Sequence, residues 1–227
     1  MIKSNDTIDK LITTKLAEDN YRILLDSRWS LADLNKFTRL YIQNYSFIYC
    51  LENIVEIRDK ELFFKEICSY KLRDGLTYVN AYYIFSRHIP KEDKPIIRAI
   101  TYASPGFIEL ILNYEVAKRI AEAITIFLAL CNEGYSSYRM LKEIYGKLGK
   151  KRKEARNSSL TLIREEIEQV RKLNEELALS LGYKNLEDLY TKFENPEEVS
   201  KLLMAHYRRM KAMAQFVQQN KADFPLE

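Results

Sequence analysis

The stretch from Tyr102 to Gly134, YASPGFIELILNYEVAKRIAEAITIFLALCNEG, decides the fold, because it holds the most apolar part of the chain and the rest must be arranged to cover it. Ser104 followed by Pro105 reads as a helix start. A Ser at N-cap accepts from an orphan amide, and Pro at N1 lacks only an N–H that would go unpaired anyway. The pattern then predicts one long central helix ending at Gly134. Glu109, Glu115, Lys118, Arg119 and Glu122 interrupt it, and the continuous apolar run, Ala123–Cys131, is far short of the roughly 20 residues that cross hydrocarbon. A buried core helix is the expectation, with Glu115, Lys118 and Arg119 on its less buried half. The turn at YASPGF could also set an anion at a helix N-terminus. No GxGxxG is present and no Lys-Ser or Lys-Thr follows the glycine, so plain capping is the reading adopted.

Working outward, YRILLDS (Tyr21–Ser27), Thr77–Phe85 and Ile96–Tyr102 read as strands from their β-branched and aromatic content. Thr7–Glu18 reads as a short helix. Ser30 and Asp33 form a capping-box-like start for a long helix carrying Leu34, Phe37, Tyr41, Tyr45 and Ile48 at helical spacing. A further helix is expected over about 60–70. Beyond Gly134 every segment reads as helical, with a stop at Gly182, a short helix in LEDLYTKF, and a last helix opened by Asn195-Pro196-Glu197-Glu198 and running to about Gln219. Six glycines and five prolines in 227 residues leave little turn punctuation, which also favours helices. The expected fold is therefore helix-dominated α+β. A small sheet of about three strands packs on long helices in a body spanning 1–134, and a C-terminal helical hairpin follows over 135–227.

Within that hairpin, Leu160, Ile163, Ile167, Val170, Asn174, Leu177 and Leu181 recur at alternating spacings of three and four, an a/d seam with Asn174 at an a position. With Ile163 at d, Glu166 and Arg171 fall at g and e positions that attract across a parallel dimer. The same stripe can instead pack within one chain against Val199, Leu202, Leu203, His206, Met210, Met213 and Val217 of the last helix, since three heptads are short for a coiled coil.

Just before the seam, GKLGKKRKEAR (Gly146–Arg156) sets Lys147, Lys150, Lys151, Arg152, Lys153 and Arg156 against Glu154, a local +5 in a chain whose net charge is +4. Basicity is thus confined to this run. It reads as the solvated face of a helix or, with Gly146 and Gly149 inside it, as a joint. If it meets phosphates, binding is weak, sequence-tolerant and salt-sensitive, because no helix-turn-helix or zinc-finger spacing surrounds it and no aromatic lies within it.

The remaining chemistry is sparse. Cys50, Cys68 and Cys131 are scattered, without CxxC, and read as reduced thiols. His88 and His206 belong to no HExxH or ExxH pattern, and no GxSxG marks a nucleophile, so no catalytic, metal or cofactor site is assigned. The sixteen tyrosines, clustered at 41, 45 and 49 and at 78, 82 and 83, suit half-buried packing or an interface. The N-terminus has no uninterrupted apolar core, so the chain reads as cytoplasmic and without a membrane span. The leading expectation is a non-enzymatic assembly or adaptor protein that self-associates or binds a protein partner. A nucleic-acid-binding accessory protein comes second, and a membrane-active protein or an enzyme after that.

Overall fold

The computed structural model describes residues 20–52, 59–69, 81–157, 160–184, 186–193 and 195–226. The fold is helix-dominated α+β. β1 (Asn20–Leu25), β2 (Ile96–Thr101), β3 (Gly106–Ile111) and β4 (Ala222–Asp223) form one antiparallel sheet in the order β2-β3-β1-β4. Eight helices lie among the described residues: α1 (Leu31–Leu51), α2 (Lys60–Ser69), α3 (Ala81–His88), α4 (Tyr114–Ala129), α5 (Cys131–Glu154), α6 (Arg164–Ser180), α7 (Leu186–Lys192) and α8 (Pro196–Gln218). The helix expected over Thr7–Glu18 lies outside the described residues.

The decisive stretch divides differently from the expectation. Ser104-Pro105, joined by a cis peptide bond, forms the turn of a β2–β3 hairpin and opens no helix. Period two wins over period 3.6 here because the apolar residues of GFIELI alternate. Ile108 and Leu110 point inward opposite Ile23 and Tyr21 of β1, while Glu109 stands on the outer face with its carboxylate 3.0 Å from Arg22. A Cβ at Gly106 would run into the Thr101 carbonyl oxygen and crowd the Ala103 backbone at 3.0 Å, so the turn requires glycine. Asn113 then does the capping, its Oδ1 accepting from the Val116 N–H at 3.2 Å, and α4 buries Val116, Ala117, Ile120, Ala123, Ile124 and Phe127.

Arg119 departs from its expected place as well. It lies in the core, with Nε donating to Glu52 at 2.6 Å and Nη2 to the Gly182 carbonyl. Burial pushes the Glu52 carboxyl above its ordinary value, against the opposing pull of Arg119.

The strand expected over Thr77–Phe85 is a further correction. From Ala81 onward the segment is helix α3, in which Ala81, Tyr82, Ile84 and Phe85 face the core and Tyr83 faces out; residues 77–80 lie outside the described residues. Spacings of one, three and four between the apolar residues make a helical face. High β-propensity does not override it, because α3 packs on α1 and not on the sheet. The fourth strand, β4, comes from the C-terminal Ala222–Asp223.

Other elements follow the sequence closely. Ser30 and Asp33 make the capping box of α1, and Asn195 with Pro196 opens α8. α6 ends in a Schellman turn: the Tyr183 N–H reaches the Ala178 carbonyl at 2.8 Å and the Gly182 N–H the Leu179 carbonyl at 2.9 Å, with Gly182 at φ +67. α8 runs through the middle of the molecule against α1, α4 and α6, so the C-terminal helices share one apolar core with the sheet-bearing part. Trp29 stacks on Phe216 with centroids 5.4 Å apart, and Phe224 packs on Phe37 and Tyr41, pinning the chain's end beneath α1.

Candidate interaction surfaces

The seven seam residues separate into two groups. Leu160 and Ile163 precede α6, and Ile163 is 60% exposed. Val170, Asn174, Leu177 and Leu181 are buried within the chain, Ile167 is partly buried, and α6 packs on α5 and α8. Asn174 has a partner of its own, donating from Nδ2 to the Tyr190 hydroxyl at 3.1 Å, although its Oδ1 has none among the described residues. Glu166 accepts from the Ile163 N–H at 3.1 Å and lies 3.6 Å from Lys151, while the Arg171 guanidinium covers the Tyr190 ring at 4.8 Å. Both charges of the expected interchain pair therefore have partners in their own chain.

The basic run is helical throughout Gly146–Glu154, and the chain turns only beyond it, at Arg156 with φ +50. Arg152 points inward. Its Nη atoms each donate to a Glu197 oxygen at 3.0 Å and its Nε donates to the Leu160 carbonyl at 2.8 Å. Burial raises the Glu197 carboxyl, but hydrogen bonds from Arg152 and Lys201 bring it below its ordinary value. Lys147, Lys150, Lys151, Lys153 and Arg156 are exposed at the C-terminal end of α5, where cations also complement the helix dipole.

The sheet edge carries what the sequence did not single out. β2 is an outer strand, and Ile96, Ile97 and Ile100 are 54%, 46% and 47% exposed, with Tyr102 just beyond at 73%. Opposite residues on β3 place Ile97 and Ile100 on the core-facing side, where the described helices cover β1 and β3 but stop short of β2. A bulge between Ile97 and Ala99 keeps those two isoleucines on one face. On the other face Arg98 and Arg22 flank Glu109, at 3.8 and 3.0 Å. The strand itself was legible in PIIRAIT; its edge position was not, because its neighbour β3 lay in the segment read as helix.

Two further features are internal or concave. His206 stacks flat on Phe47 at 3.7 Å; burial holds its imidazole down at about pKa 3, with Arg209 and Arg119 adding to the effect, and its Nδ1 has no partner among the described residues. Arg209 lies 3.8 Å over the Tyr82 ring beside it. A cleft of about 240 Å³ opens between the α4–α5 junction and α8, with Phe127 and Tyr207 at its base and Cys131, Tyr135 and Lys211 at its rim. Among the described residues no group of three His, Cys, Asp or Glu side chains could hold a metal, and no helix is long and apolar enough to cross a membrane.

No family model matches the chain, and no curated protein or solved structure is similar to it.

Proposed function

We propose that this chain is a non-enzymatic assembly or adaptor protein that takes on an extended segment of a partner protein along β2. The observation that carries the reading is the line of Ile96, Ile97 and Ile100 on the edge strand β2, with Tyr102 just beyond it. Edge strands present a row of backbone donors and acceptors, and proteins ordinarily blunt them with charge, brevity or cover. Here a six-residue edge carries three half-exposed isoleucines and one charge, Arg98. An added strand would pair with that backbone and cover Ile97 and Ile100 at the same time. A second copy suits the edge less well, because two-fold pairing centred on Arg98 sets two guanidiniums against each other.

The test uses a labelled peptide that alternates valine and threonine around a central glutamate. Binding by fluorescence anisotropy should weaken about tenfold or more in the Ile97→Lys/Ile100→Lys variant. Equal binding by both proteins, or none by the wild type, contradicts the reading.

A second reading rests on Lys147, Lys150, Lys153 and Arg156, which are exposed together at one helix end and make no ion pair to a carboxylate among the described residues. Such a cluster supports weak nucleic-acid binding that falls with salt. Retention on single strands that survives reversal of these four to Glu would eliminate it.

A further inference from the structure

We propose that the cleft between the α4–α5 junction and α8 binds a small aromatic carboxylate, independently of the β2 edge. Two helix faces build it. Phe127, Cys131 and Tyr135 follow one another at intervals of four along α4 and α5, and Tyr207, Lys211 and Gln215 do the same along α8. Tyr207 is the buried floor, backed by Tyr138 stacked against it at 4.6 Å and by Phe127 at 5.5 Å, so its ring is held in a fixed plane. A rigid aromatic floor favours a planar apolar guest, which packs on it in offset or edge-on geometry.

Charge and hydrogen-bonding capacity select the guest's head group. The cleft has one ionic side chain, Lys211, whose ammonium lies 5.1 Å over the Tyr135 ring and makes no salt bridge among the described residues. The other polar side chains of the lining are the carboxamides of Asn132, Gln215 and Gln218, beside the uncharged hydroxyls of Tyr135 and Tyr207 and the Cys131 thiol. A single ammonium with amide donors matches a monoanion. The lining holds no guanidinium fork for bidentate capture and no second cation to balance a dianionic phosphate. The volume of about 240 Å³ falls below the roughly 300–1,000 Å³ of sites for drug-sized molecules, which limits the guest to one ring with its acid group. Lys211 is exposed, so its attraction to the carboxylate is screened and its effect on affinity modest.

The experiment compares 4-hydroxybenzoate with its neutral isostere 4-hydroxybenzamide, each titrated into the full chain and followed by ligand-detected NMR. Wild type should bind the carboxylate several-fold more tightly than the amide, and Lys211→Met, at an exposed position, should make the two equal. Alkylation of Cys131, identified by peptide mass, should slow more with the carboxylate than with the amide at the same concentration. Equal affinity of the two compounds for the wild type, a preference that persists in Lys211→Met, or no saturable binding would each overturn the proposal.

Discussion

α6 and β2 each carry a regular apolar stripe, and the described residues cover one and leave the other open. On α6 the stripe of Val170, Leu177 and Leu181 meets α5 and α8 and disappears from solvent. On β2 the stripe of Ile97 and Ile100 lies just past the reach of the helices beneath the sheet. The two have similar composition, so hydrophobicity does not distinguish a structural face from a docking face. What distinguishes them is whether a second element of the same chain reaches over the stripe. α8 does so for α6. At the sheet edge no described element does so for β2.

The largest expected effect tests the covered side. Leu177→Ala should leave a cavity and cost about 2–5 kcal/mol in a urea titration. If the seam served another chain instead, the substitution would lower the solution mass while leaving the protomer's stability nearly unchanged. Next in size, Arg152→Met should cost about 1–3 kcal/mol, because it removes two of the hydrogen bonds that stabilise the buried Glu197 carboxylate. Lys150→Met, from the same basic run but exposed, should change stability by about 0.5 kcal/mol or less. Equal effects would show that Arg152 is another surface cation.

His206 sharpens the comparison through pH. Its imidazole stays neutral in the folded chain down to about pH 3, whereas in the unfolded chain it takes up a proton near its ordinary 6.5. Its contribution to stability is therefore complete above pH 6.5 and is lost as the pH falls toward 3. His206→Leu should flatten the stability–pH curve across that window by at most about 1.4 kcal/mol per pH unit. A difference curve that is level there would place the imidazole in contact with water. The smallest effect belongs to the open side: Ile100→Thr should alter stability by about 0.5 kcal/mol or less, since the side chain is only half covered. A cost like that of Leu177→Ala would mean that β2 is not an open edge.

Much of the helical part was legible because its signals are local. Ser30 with Asp33, Asn195 with Pro196, and Gly182 each act on backbone groups within a few residues, so the sequence alone places those helix ends. Two misreadings came from competing local and non-local effects. Ser104-Pro105 carries the chemistry of a helix start, yet the alternation of Ile108 and Leu110 is satisfied only by pairing with β1, some eighty residues away in the chain. Ala81–His88 has strand-like composition, but its apolar spacing fits the face of α1. The exposure of β2 followed from the first of these, because an edge is a property of the sheet order and not of the strand. Arg119 was hidden for a similar reason: its carboxylate partner Glu52 and its carbonyl partner Gly182 come from distant segments, and nothing near Arg119 marks the cation as buried.

The most direct test of the contrast between the two stripes is to map, by backbone amide shifts of the labelled protein, where the valine–threonine peptide with its central glutamate binds. The predicted result is a continuous set of perturbations along Ile96–Tyr102 and its neighbour β3, with α6 unchanged. Perturbations centred on Arg164–Ser180, or a spectrum that does not change at saturating peptide, would contradict it.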